Sequence, residues 1–127
     1  MKILVDTSVL VAVDRGEKET VNLIKELARQ NTELVVSSVT VSEILTGAYL
    51  TADTKSSLLA AKEILNQFVW LPLDGTVAGQ AAQLLAYLFA HKKDIEYQDT
   101  AIAATFLSSR SDYLLTLNKK DFLVFPI

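Results

Sequence analysis

The sequence predicts a three-layer α/β/α domain built on a central, mainly parallel sheet of about five strands. Short, continuous apolar runs rich in β-branched residues recur along the chain, the pattern of strands covered on both faces. Longer segments with apolar residues at helical spacing separate most of them. Alternation of the two requires crossover connections, which place helices on both faces of a parallel sheet.

The first strand is Lys2 to Asp6, after which Thr7 and Ser8 open a helix. A helical period over Val21, Ile24, Leu27 and Ala28 precedes the second strand, Glu33 to Ser37. Two more helical periods follow, Val41, Ile44, Leu45 and Ala48, then Leu58, Ala61, Leu65 and Phe68. They lead to a third strand, Phe68 to Leu71. Val77, Ala81, Leu84 and Leu88 mark the next helix and Ile95 to Leu107 another, before strands at Tyr113 to Leu117 and Phe122 to Phe125. No linker, repeat or low-complexity segment interrupts this order, so one domain is expected over residues 1–127. The helix from Val77 to Phe89 is apolar around much of its circumference, with Leu85, Tyr87 and Phe89 beyond the main stripe. That excess predicts either deep burial or a subunit interface.

Composition narrows the function. Hydrophobic residues make up 50% of the chain and charged residues 21%, with only four Gly and two Pro, which excludes disorder and fibrous repeats. The absence of cysteine excludes disulfides, thiolate zinc sites and cysteine nucleophiles, and suits a reducing cytoplasm. His91 is the sole histidine and reads as a helix-end residue, so any metal must be held by oxygen. The apolar run after Lys2 is too short for a signal peptide, and the uncharged stretch Gly75 to Ala90 falls short of a membrane span. A cytoplasmic protein without membrane association is expected. The net charge of −3 argues against gripping nucleic acid by charge alone. Bound divalent cations would reverse the local sign at a nuclease site.

Ligands of open α/β sheets bind outside the carboxyl ends of the strands, so acids there come first. Asp6 ends the first strand, where it could also be a helix N-cap. Glu43 lies a few residues after the second strand, facing away from Val41, Ile44 and Ala48, with Gly47 one turn on. Thr40 and Glu43 also have capping-box spacing. Asp99 shares a helix face with Ile102, Ala103 and Phe106, where an unpaired carboxylate must protonate, pair or bind a cation, although the helix dipole offsets part of the cost. Thr116, Asn118 and Asp121 follow the fourth strand; Asn118 and Asp121 could cap a short helix or join the acids, and Thr116 could orient one of them. Two carboxylates about 4 Å apart repel by roughly 4 kcal/mol at an effective dielectric near 20, so a cluster of three calls for a cation. An all-oxygen set suits Mg²⁺ or Mn²⁺, whose natural chemistry here is phosphodiester hydrolysis.

The stretches ILVDTSVLVA, SVTVSEILTG, DTAIAA and TLNKKDF, in that order and together spanning nearly the whole chain, resemble the PIN-domain family and especially its VapC-type toxins. The resemblance implies a PIN-like fold, Mg²⁺- or Mn²⁺-dependent endoribonuclease activity on RNA, a homodimer, and inhibition by a small co-encoded antitoxin that docks on the active site. It assigns Asp6, Glu43 and Asp99 as metal-binding and catalytic acids, with Thr7, Ser8 and Thr116 as supporting polar groups. Many members carry Asp where this chain has Asn118, so either Asn118 or Asp121 serves as the fourth ligand or the site lacks that charge and holds one ion. Basic candidates for RNA contact are Arg15, Lys119 and Lys120, followed by Lys18, Lys92 and Lys93.

Competing readings lack their signatures. A phosphoacceptor receiver domain, with Asp74 as acceptor, would want an acidic pair after the first strand, where Thr7 and Ser8 stand. A haloacid-dehalogenase-type phosphatase would place a second Asp at Ser8, and a dinucleotide-binding domain would need glycine between Asp6 and Asp14. The remaining alternative is a PIN-like domain that binds RNA or protein without cutting.

Overall fold

The computed structural model describes residues 1–127. Four parallel strands, β1 (Lys2–Val5), β2 (Glu33–Ser37), β3 (Val69–Leu71) and β4 (Tyr113–Leu115), pair in the order β3-β2-β1-β4. Seven helices surround them: α1 (Thr7–Asp14), α2 (Lys18–Arg29), α3 (Ser38–Tyr49), α4 (Thr54–Leu65), α5 (Gly75–Ala90), α6 (Tyr97–Ser109) and α7 (Lys119–Phe122).

Side chains alternate across the strands and divide the core in two. Ile3, Val5, Leu34 and Val36 face α1 to α4, meeting Leu10, Ile24, Ile44 and Leu65. Leu4 and Val35 face the other way, meeting Leu84 and Leu88 of α5 and Ile102 and Ala103 of α6. Both faces are covered, which is why the strand runs are continuously apolar. The chain forms the expected three layers around four strands.

The fifth strand expected at Phe122 to Phe125 does not form. The Leu123 N–H donates to the Lys119 carbonyl and the Phe125 N–H to the Phe122 carbonyl, so the segment coils. Phe122 and Phe125, three apart, then enter the same core, which a strand's period of two forbids, and Pro126 has no N–H for a ladder. The last helix before β4 starts at Tyr97 rather than Ile95, because Glu96 is extended at φ −66°, ψ 146°. Strand β4 stops at Leu115, freeing Thr116 and Leu117 to turn toward α1.

Caps set where the helices around the carboxyl strand ends begin. The Ser37 hydroxyl accepts the Val39 N–H at 3.1 Å and starts α3, and Asp74 accepts the Val77 N–H at 3.0 Å and starts α5. Helix α1 ends at Arg15, where Gly16 takes φ +73° and turns the chain away. No helix is long and apolar enough to cross a membrane.

Candidate active site

Asp6 follows β1 directly, and its N–H donates to the Leu115 carbonyl at 2.9 Å, which continues the β1-β4 pairing past the strand end. It occupies the N-cap position of α1 but makes no side-chain capping bond. Its carboxylate instead accepts the hydroxyls of Ser8 and Thr116, each at 2.8 Å, while only 4% of the residue is exposed. A capping role therefore does not account for Asp6. Ser8 and Thr116 are themselves anchored, since their hydroxyls accept the backbone N–H groups of Leu117 and Asn118 at 3.0 and 2.9 Å.

Glu43 projects from the first turns of α3 toward the same end of the sheet. The expected capping box with Thr40 is not built, because α3 begins at Ser38 and Ser37 is its cap. Glu43 instead accepts the Thr7 hydroxyl at 2.8 Å, and the Thr7 and Thr40 hydroxyls lie 2.9 Å apart. Burial raises the proton affinity of Glu43 above the ordinary carboxylate value, the Thr7 hydrogen bond opposes this, and the charges of Asp6 and Glu96 add to it.

Asp99 lies in the first turn of α6, a helix whose residues from Thr100 to Thr105 are all buried. Burial is the main cause that pushes its carboxyl up to about 6, followed by the charges of Asp121, Asp6, Glu43 and Glu96. The only ion pair in the chain joins Arg29 to Glu26, so no cation compensates these acids. Asp6, Thr7, Ser8, Glu43, Asp99 and Asn118 line one open cleft of about 370 Å³. As they stand, no three acidic side chains approach a common point closely enough to share an ion.

Asn118 lines this cleft, whereas Asp121, one helical turn further, does not and acts on Asp99 through its charge. Arg15 is the only basic residue at the cleft wall; Lys18, Lys92, Lys93, Lys119 and Lys120 lie outside it. His91 caps the C-terminus of α5, stacked on Tyr87 at 4.0 Å and bonded to its carbonyl at 2.8 Å, and does not line the cleft. Asp74 caps α5 and does not line the acid cleft, which counts against the receiver reading. Glu96 was not anticipated: it is an exposed N-cap residue whose one sequence signal is its place three residues before Asp99.

Residues 3–125 match the family model described as PIN domain. The chain belongs to the PIN-domain family. Among curated proteins, this PIN domain is 29% identical over 123 residues to Ribonuclease VapC19 of Mycobacterium tuberculosis, covering 97% of this chain and 94% of that one. Among solved structures it resembles FitAcB from Neisseria gonorrhoeae, with TM-score 0.81, 28% identity and coverage of 96% and 91%. It also resembles VapBC2 from Rickettsia felis bound to a promoter DNA fragment, with TM-score 0.90 and coverage of 99% and 94%. At 20% identity that second likeness speaks for the fold alone.

Proposed function

We propose that this PIN domain is an endoribonuclease that hydrolyses RNA phosphodiester bonds with Mg²⁺ or Mn²⁺, and that it is the toxin of a toxin-antitoxin pair. The observation that carries the reading is the cleft lined by Asp6 after β1, Glu43 of α3 and Asp99 at the start of α6, none of them paired with a cation. Their oxygen-only donor set suits a hard divalent ion, with Asn118 in the cleft and Asp121 one helical turn beyond it as candidates for a fourth ligand. Such an ion, when bound, offsets charge on the phosphate and makes water more acidic. Ser8 and Thr116 hold the Asp6 carboxylate in place, and Thr7 holds that of Glu43. The proton affinity of Glu43 and Asp99 is raised in the metal-free protein, and a bound cation would lower it and keep both carboxylates ionised as ligands. Arg15 supplies positive charge for the RNA backbone at the cleft wall, and Lys119 and Lys120 supply it from exposed positions on α7.

Kinship to Ribonuclease VapC19 supports the activity and, with the resemblance to VapC-type toxins, a small antitoxin as partner. The resemblance to VapC-type toxins supports a homodimer, and the cysteine-free composition supports a cytoplasmic setting. A catalytically silent PIN domain that binds RNA or protein is the second reading. It is favoured by the spacing of the carboxylates and by the neutral Asn118 in the cleft. RNA cleavage by purified protein with Mg²⁺ or Mn²⁺ separates the two. The enzyme cuts, stops with chelator and is disabled by Asp6→Asn; the silent domain cuts under none of these conditions.

A further inference from the structure

The acid cleft does not end at Glu43. Val11, Arg15 and Glu43 also line a second cavity of about 360 Å³, enclosed by α1, α3 and α4. Gly47 and Ala48 of α3 and Ala60 and Ala61 of α4 give this cavity its depth. Asp14, Thr51, Ser56 and Ser57 supply its other polar groups.

We propose that this cavity is a base-binding subsite that takes the unstacked base of the nucleotide next to the scissile phosphate, with Arg15 at the neck holding the adjoining phosphate. The inference rests on the ribonuclease reading and adds a substrate preference to it. Charge decides which part of RNA enters. Asp14 and Glu43 border the cavity and repel a phosphate, but they accept hydrogen bonds from the exocyclic amino group of a base. The Arg15 side chain is exposed and makes no ion pair, so its guanidinium is available to a phosphate where the two cavities join. The Ser56 hydroxyl makes no hydrogen bond within the protein, and that of Ser57 is engaged only with Thr51, at 2.7 Å, leaving hydroxyl groups for a base edge. Beyond Val11 and Ile44 the apolar wall is alanine, and charged and hydroxyl groups interrupt it, which suits a flat polar base better than the apolar ridge of a helix.

The preference that follows is for adenine, cytosine or guanine over uracil beside the cut. Gly47→Leu and Ala60→Leu fill the cavity from opposite walls. A Cβ at Gly47 meets no atom within 4 Å, and replacing glycine improves helix propensity, so this variant should fold. The assay compares a random-sequence RNA, with its products sequenced, and bis(p-nitrophenyl) phosphate, an activated diester without a base. Wild type is expected to disfavour uracil at one position flanking the cut. Both filled variants are expected to lose that preference and to cut RNA more slowly relative to the diester by about tenfold, the low end of what one base contact contributes. Arg15→Ala is expected to raise KM for RNA and keep the base preference. Cleavage by wild type without a flanking preference, or filled variants that keep both preference and rate ratio, would overturn the subsite. The same holds if those variants keep both and lose only inhibition by the co-encoded antitoxin, which would make the cavity a protein groove. If wild type cuts neither RNA nor the diester with Mg²⁺ or Mn²⁺, the ribonuclease reading itself falls, and the subsite with it.

Discussion

Replacing Asp99 by Asn should stabilise the metal-free protein while destroying its activity. Asn keeps the shape of the side chain and removes the charge that burial and four neighbouring acids oppose. The Asp99 carboxyl binds its proton more tightly in the folded chain, with a pKa of about 6, than at its ordinary value of 3.8. Between these values the folded state holds more protons than the unfolded state, so stability falls as pH rises through the window and the full penalty stands at pH 7.5. A difference of about two units corresponds to ~3 kcal/mol if fully expressed. Asp99 is only partly buried, and solvent screening reduces this to about 1 kcal/mol. For a domain of this size that is about 3–6 °C in Tm. Thermal unfolding by circular dichroism in chelator should show Asp99→Asn melting above wild type at pH 7.5, with the margin gone near pH 4. Addition of Mn²⁺ should raise the Tm of wild type and leave the variant unmoved, because only a folded state that binds the ion gains from it. An Asp99→Asn protein that melts at or below wild type in chelator at pH 7.5 would refute the reasoning.

Thr116→Val removes one of the two hydroxyls on the buried Asp6 carboxylate. It should cost about 1.5–3 kcal/mol in urea unfolding, as for other hydrogen bonds to charge, and lower RNA cleavage with it. Glu96→Gln takes away a negative charge that raises the proton affinity of both Glu43 and Asp99. The acid limb of the pH-rate profile should move to lower pH, by less at 1 M salt; a limb that stays or moves up contradicts the electrostatic account. Phe122→Ala opens the core beneath α7 and should cost about 3–5 kcal/mol by denaturant unfolding, where a segment lying loosely on the surface would cost almost nothing.

Much of the fold was legible because a strand covered on both faces must be apolar at every position, and the runs at Ile3 to Val5 and Leu34 to Val36 are. The segment from Phe122 to Phe125 misled for a related reason. Four residues cannot distinguish a period of two from one near 3.6, and the decision fell to the backbone bonds that coil it. Asp6 and Glu43 were legible by address, at or just after carboxyl ends of strands, and Asp99 by its apolar helix face, but none by role. Asp6 sits where an N-cap would and only the direction of its side chain, toward Ser8 and Thr116, separates the two. The spacing of Thr40 and Glu43 satisfied a capping box, yet α3 starts at Ser38, three residues before a cap at Thr40 would allow. Glu96 and the cavity beside Arg15 left almost no sequence signal. One is an exposed acid that acts over a distance, and the other exists only because three helices pack around small residues.

The central claim is that these acids bind a divalent cation. Titration of Mn²⁺ into the protein at pH 7.5, with free ion followed by electron paramagnetic resonance, tests it most directly. Wild type should remove free Mn²⁺ from solution and Asp6→Asn and Asp99→Asn should do so far more weakly. Equal uptake by all three, or none by wild type, would contradict it.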